Sequence, residues 1–197
     1  MAMSKKSEAG TLTRERIVAT ARRLFAASGY EGTSTETVLE ESGVSRGALY
    51  HHFDNKEALF AAVLEAVELD IANATARASA NVRDPVAALR AAFAAFLDLA
   101  CTPEVRQIVL IDAHSVVGWQ KWRECEERHG FGRLKEGLRL LASLGRMREE
   151  MVDIYAHILL AALIEVAFLI ARAPDPVERA RTGRTAMDEL LDRLLGT

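Results

Sequence analysis

What this chain has little of narrows it first. It holds 2 cysteines in 197 residues. Cys101 and Cys125 match no metal-ligand or redox spacing, so a reduced, cytoplasmic protein is the default expectation. An excess of basic charge is missing as well: 25 Lys/Arg stand against 28 Asp/Glu, for a net charge of −3. From Met1 to Lys56 the balance is 8 Lys/Arg to 7 Asp/Glu. Total charge therefore gives no support to nucleic-acid binding, and any such role has to rest on where charges are placed. There is no linker rich in Pro, Gly or Ser, no internal repeat and no strand signal. Residues 1–10, "MAMSKKSEAG", lack the apolar core of a signal peptide and read as a disordered end. The most apolar run, Ile158 to Ala173, is interrupted by Glu165. It falls short of the ~20 residues that cross a bilayer, so a buried helix and no membrane contact are expected.

The usual marks of catalysis are also missing: no Gly-rich phosphate loop, no nucleophile in a recognisable setting, no paired carboxylates. Asp112 and His114 in "IDAHS" offer the one remote acid–base pair for an enzyme. With Glu126, His129 and His157 they are candidate metal ligands too, but spacings of i, i+2 and i, i+3 do not force convergence. No metal and no cofactor are expected.

What is present is helical periodicity throughout, so the fold class is all-α. Ile17, Ala21, Leu24 and Phe25 share a face and Gly29 stops that helix. A short helix follows from Ser34 or Thr35, burying Val38 and Leu39 and ending at Gly43. Ser45 caps a third, which buries Leu49 and Phe53. Asp54 with Glu57 suggests a capping box for a long fourth helix with Phe60, Val63, Val67 and Ile71 inward. Asp84-Pro85 and Asp175-Pro176 are cap-plus-proline starts. A helix through Val105, Ile108 and Val109 is expected after Thr102-Pro103. A long one is expected from about Ser115 to Leu144, with Trp119 and Trp122 inward and a kink at Gly130 or Gly132. Met151 to Arg172 makes the eighth helix. Two short helices separated by Gly43-Val44-Ser45 form a helix-turn-helix.

That segment carries a specific pattern: Leu-Phe-x-x-x-Gly-Tyr ending the first helix, "GVSRGALYHHF" from Gly43 to Phe53, and Asn-Lys-Glu opening the fourth helix. The stretch from about Thr11 to Ile71 closely resembles the DNA-binding domain of TetR-family transcriptional regulators. The resemblance implies a DNA-binding domain at 11–71, with its helix-turn-helix at 34–53. It also implies an effector-binding and dimerisation domain at 72–197, completing a plan of about nine helices. It implies a homodimer formed through helices 8 and 9. That dimer reads a near-palindromic double-stranded operator, most simply as a repressor that a small molecule releases. A ligand-independent regulator and an activator are the alternatives.

Site residues follow from the same resemblance. Helix 3 becomes the recognition helix, with Ser45, Arg46, Gly47 and Ala48 at its base- and phosphate-facing start. Arg46 can present its planar fork to guanine, a contact worth about 1–3 kcal/mol of discrimination. Tyr50, His51 and Lys56 match phosphate- and sugar-facing positions, and Thr35 matches a phosphate-binding hydroxyl. Glu36 departs from relatives that are basic there and is expected to make no favourable phosphate contact. His52 is open between a contact and packing against helix 1 or 4. The effector is expected to be small, hydrophobic or aromatic, in a pocket with Phe93, Phe96, His114, Trp119 and Trp122. The tryptophans read equally well as core. Glu165 is expected either to pair with an arginine such as Arg184 across the dimer or to face a polar ligand. Ala180 and Gly183 suit a dimer face or simple intrachain packing.

Overall fold

The computed structural model describes residues 5–195. Among the described residues there are nine helical segments and no strand. A long helix and two short ones come first: α1 (Lys5–Ser28), α2 (Thr35–Ser42) and α3 (Arg46–His52). α4 (Lys56–Ser79) is the long rod that leads out of them, and α5 (Pro85–Ala100) packs along it. α6 (Val105–Val117) follows at 90° to α5, its first part π-helical over Val105–Asp112. α7 covers residues 119–143, with a π-helical stretch Glu127–Phe131 between Trp119–Glu126 and Gly132–Ser143. α8 (Val152–Ala171) and α9 (Pro176–Leu195) close the body.

Local chemistry explains most boundaries. Ser34, Ser45, Asn55 and Asp84 each accept a backbone N–H from the first turn of the helix they precede. Such a cap is worth about 1 kcal/mol. The fourth helix is capped by Asn55, not by Asp54. Asn55 has the extended backbone that aims its Oδ1 at the Ala58 N–H, 2.7 Å away. α1 starts earlier than expected, at Lys5, so the described part of the expected disordered end is helical; residues 1–4 lie outside the described residues. The long helix expected from Ser115 to Leu144 is broken at Gly118, whose φ of +81° suits glycine and few other residues. The irregularity expected at Gly130 or Gly132 is the π-helical stretch that ends at Phe131.

α8 also differs from expectation. With its leading turn, Glu149–Ala171, it spans 23 residues and is long and apolar enough to cross a membrane by length and composition. Here it lies against α5, α7 and α9 and buries Ala156, Leu159, Leu163, Ile164, Ala167 and Ile170. Ile154, Ile158 and Leu169 remain exposed along its other side, together with Glu165.

One buried cluster runs from Ile17 of α1 to Leu195 of α9. The helix-turn-helix end is tied to the rest by polar contacts as well as by this core. Arg22 of α1 places Nε and Nη2 on Glu104 at 2.6 and 2.7 Å and Nη1 on Asp70 of α4 at 2.6 Å. Asp112 of α6 accepts the Tyr30 N–H at 2.8 Å, just past the left-handed turn at Gly29.

Gly183 settles the packing of α9. A Cβ added there would stand 2.5 Å from Val166 Cγ1 and 3.8 Å from Leu97 Cδ1, so the small residues Ala180 and Gly183 face α8 and α5 of the same chain. Gly183→Ala is therefore expected to destabilise by about 1–2 kcal/mol. The overpacking outweighs the alanine helix preference. Val166→Ala in the same chain should recover most of the loss. Urea unfolding at fixed protein concentration measures both, and non-interacting mutations would refute this packing.

Candidate nucleic-acid interface and internal cavity

The helix-turn-helix is assembled from its buried side outward. Leu49 is fully buried and Phe53, at the end of α3, nearly so, which anchors α3 on α1. Gly43 ends α2 in a left-handed conformation (φ +64°), its N–H on the Leu39 carbonyl. Ser45 then redirects the chain by accepting the Ala48 N–H at 3.3 Å. These anchors leave Ser45, Arg46, Gly47, Tyr50 and His51 exposed on one edge, with Ala48 half-buried beneath. Nothing lies within 4 Å of a Cβ built on Gly47, so the backbone there is open to a close approach. His52 is half-buried, its ring 6.3 Å from that of Phe53.

Three of the sequence-predicted residues are already engaged. Arg46 Nη2 lies 2.9 Å from Glu36 Oε1, and the Thr35 hydroxyl donates to the other oxygen of the same carboxylate at 3.1 Å. Glu36's own backbone N–H, then Thr35, then Arg46 hold its carboxyl below the ordinary range. The acidic residue that interrupts the basic edge thus fixes the arginine beside it, a pairing ten residues apart that helical periodicity does not reveal. Lys56, half-buried, donates its ammonium to the carbonyls of Tyr30 (2.9 Å) and Thr33 (3.2 Å) and stands 4.0 Å over the Tyr30 ring. It knots the α1–α2 turn to the start of α4, leaving one ammonium proton outside those two bonds.

An internal cavity of about 210 Å³ opens between α4, α5, α7 and α8. Phe93 and Phe96 line it, as does the half-exposed Leu140. His114, Trp119 and Trp122 do not line it. They gather with Phe168 instead: His114 to Trp122 is 4.2 Å between centroids, and His114 stacks on Trp119 at 5.7 Å and 9°. The break at Gly118 is the cause. It restarts the helix at Trp119, which is 61% exposed, and turns Trp122 into the core. Burial, with Arg172 nearby, holds His114 below the usual imidazole range. Glu165 is exposed and outside the cavity, and Arg184 pairs with Asp98 of its own chain. One oxygen of the Asp112 carboxylate accepts the Tyr30 N–H, while His114 sits among the aromatic rings.

Sequence reasoning missed Glu68. Its side chain lines the cavity while almost fully buried, and its Oε1 has no hydrogen-bond partner. The signal was available: Leu64, Glu68 and Ala72 recur at i, i+4 and i+8 on the inward face of α4, and all three are buried. Burial first, and then the neighbouring Glu65, push the Glu68 carboxyl up to about 7.

Glu65, Cys125 and His129 form the group among the described residues whose ligand atoms could hold a metal, all within 4.8 Å of one another. The same atoms satisfy each other: His129 Nε2 is 2.6 Å from Glu65 Oε1, and the Cys125 thiol donates to Oε2 at 3.3 Å. Arg128 adds a cation on Oε2 at 3.2 Å, and burial pushes the Cys125 thiol up to about 12. This is a hydrogen-bonded tie between α4 and α7. The Glu126 side chain, also a candidate ligand, lies outside the described residues.

Comparison with known proteins agrees with this architecture. Residues 17–63 match the model of the tetR family of bacterial regulatory proteins, and residues 86–194 match a tetracyclin repressor-like C-terminal domain. The repressor AcnR of Corynebacterium glutamicum is 49% identical over 53 residues, 27% of this chain and 28% of AcnR. The transcriptional regulator AcrR of Shigella flexneri is 34% identical over 111 residues, 56% of this chain and 51% of AcrR. The chain thus spans about half or less of these curated relatives. A crystal structure of a regulator from Pectobacterium atrosepticum is 30% identical, covers 99% of each chain and superposes with a TM-score of 0.85.

The buried carboxyl gives a pH prediction. A carboxyl held near 7 in the fold but titrating near 4.3 when unfolded keeps its proton in the folded state alone between those values. Stability from this group therefore falls as pH rises from about 4.3 to 7 and is level beyond. Glu68→Gln should raise stability at pH 8 by up to roughly 3 kcal/mol, and the gain should vanish by pH 4. Urea midpoints at the two pH values check this; a pH-independent difference would refute it.

Proposed function

Because this chain belongs to the TetR family of bacterial regulatory proteins, we propose that it is a sequence-specific DNA-binding transcriptional repressor that acts as a homodimer and is released by a small molecule. The single observation that carries the reading is the exposed edge of α3. Arg46, Gly47, Tyr50 and His51 stand free of the core on a helix that Leu49 and Phe53 anchor rigidly. Two such helices on a twofold dimer would enter successive major grooves roughly 34–36 Å apart.

On this reading residues 11–71 form the DNA-binding domain and residues 72–197 the effector-binding and dimerisation domain. Arg46 leaves Glu36 to read a base, while Ser45, Gly47, Ala48, Tyr50 and His51 face sugar, phosphate and base edges. Thr35 and the remaining ammonium proton of Lys56 face phosphate. The apolar stripe of Ile154, Ile158 and Leu169 on α8, with α9 beside it, supports a dimer face. The cavity walls, Phe93 and Phe96 included, form the effector site, and DNA binding places the protein in the cytoplasm. An effector acts by preferring the dimer geometry in which the two α3 helices no longer match the groove spacing.

Selection from random duplexes at stated salt tests the reading: a twofold-symmetric consensus is expected, and salt-sensitive binding with no consensus would refute it. Arg46→Ala should relax base preference at one position of each half-site. Lys56→Ala should weaken all sequences alike, lower the salt slope by about one and also destabilise the fold, since two carbonyls lose their donor.

A further inference from the structure

We propose that the cavity between α4, α5, α7 and α8 takes an apolar organic cation, a hydrophobic body carrying one protonated amine or amidine, with Glu68 as the group that receives the charge. The inference rests on the reading of this cavity as the effector site and names the chemical class that the site selects.

The argument starts from which hydrogen-bonding valences the wall has left unused. Glu68 is 6% exposed, lines the cavity, and its Oε1 has no partner. An unpaired buried carboxyl oxygen is costly unless something is there to meet it. The wall's hydroxyls have spent their protons on α4 itself. Thr75 donates to the Ala72 carbonyl at 3.0 Å, and Ser79 donates to the carbonyls of Thr75 and Ala76 at 3.2 and 3.1 Å. Both oxygens keep lone pairs, and both residues line the same cavity. Glu68, Thr75 and Ser79 thus form a row of acceptors along one helix, at i, i+7 and i+11. Among the described residues the one cation lining the cavity, Arg133, is exposed and fastened to the Ala72 carbonyl at 3.2 Å. The remaining walls are alkyl and phenyl, among them Ile71, Leu89, Phe93 and Leu163. Acceptors on an apolar wall select a donor-bearing ligand, and rings such as those of Phe93 and Phe96 tolerate a cation where they would disfavour an anion.

The surrounding charges agree. Glu65 lies one turn from Glu68 on α4, and Cys125 of α7 carries its proton close to both carboxyls. His129 and Arg128 of α7 are held on Glu65. With the carboxyl titrating near neutrality, an entering ammonium displaces the Glu68 proton to solvent and leaves an ion pair in its place. A cavity of about 150 Å³ accepts benzene, so about 210 Å³ suits a bicyclic aromatic ring.

Three probes of nearly one shape test the proposal on the full chain by titration calorimetry: 1-naphthylmethylamine (a cation at neutral pH), 1-naphthalenemethanol (neutral) and 1-naphthoate (an anion). The amine is expected to bind at least tenfold tighter than either other probe. At pH 6 it should release close to one proton per site, read from the difference between two buffers of unlike ionisation enthalpy, and at pH 8.5 almost none. Glu68→Gln should remove the amine's advantage and the proton release while the alcohol's affinity holds within about twofold. Equal affinity of amine and alcohol for the unaltered chain, tighter binding of the naphthoate, or an amine preference that survives in Glu68→Gln would each overturn it. Operator release separates the two readings. Amine binding with Glu68 dependence but no operator release refutes the effector role alone. Operator release by the alcohol with no amine preference refutes the cation and leaves the effector role.

Discussion

The fold depends on one rod satisfying two cores at once. α4 has 24 residues, about 36 Å of helix. Its first half, with Leu59, Phe60 and Val63, belongs to the packing under the helix-turn-helix. Its second half, with Glu68, Ile71, Ala72 and Thr75, forms a wall of the cavity. No flexible linker divides these roles; Asn55 caps the first turn of α4 and Lys56 secures it to the turn between α1 and α2. A shift of the cavity wall cannot be absorbed locally, because packed interiors resist continuous deformation and move as units.

Two further ties make that coupling specific. Arg22 joins α1 to α4 through Asp70 and to the approach of α6 through Glu104. Asp112 holds the turn after α1 by a backbone N–H. The small end of the molecule is thus braced from α6 as well as carried by α4. On the proposed mechanism this brace limits the allowed motion to a swing of the whole helix-turn-helix, which would change the spacing of two recognition helices and leave each one intact.

On the proposed reading, charge placement accounts for a DNA reader with no net basic character. The exposed edge of α3 carries one arginine, which pairs with Glu36, itself bonded by the Thr35 hydroxyl. On that reading the paired side chain would lose less rotamer freedom on meeting a base. The same exchange of partners would leave a DNA sequence lacking the right acceptor with little gain. The cavity applies the opposite arrangement, a charge-bearing group left without a partner inside an apolar wall.

The sequence by itself determined the all-α class, the helix-turn-helix and its anchors, because these rest on short-range rules: apolar spacing, caps one to three residues away and glycine at left-handed turns. Val38, Leu49, Phe53, Phe60 and Val67 are buried where periodicity put them. Only the tertiary structure decided which aromatic residues line the cavity, since the break at Gly118 sends Trp119 outward and Trp122 into the core, away from Phe93 and Phe96. It also decided the partners of Arg46 and Lys56 and the isolation of Glu68. Whether a polar group is satisfied depends on atoms brought near by other helices, and one-dimensional spacing carries no record of their distance.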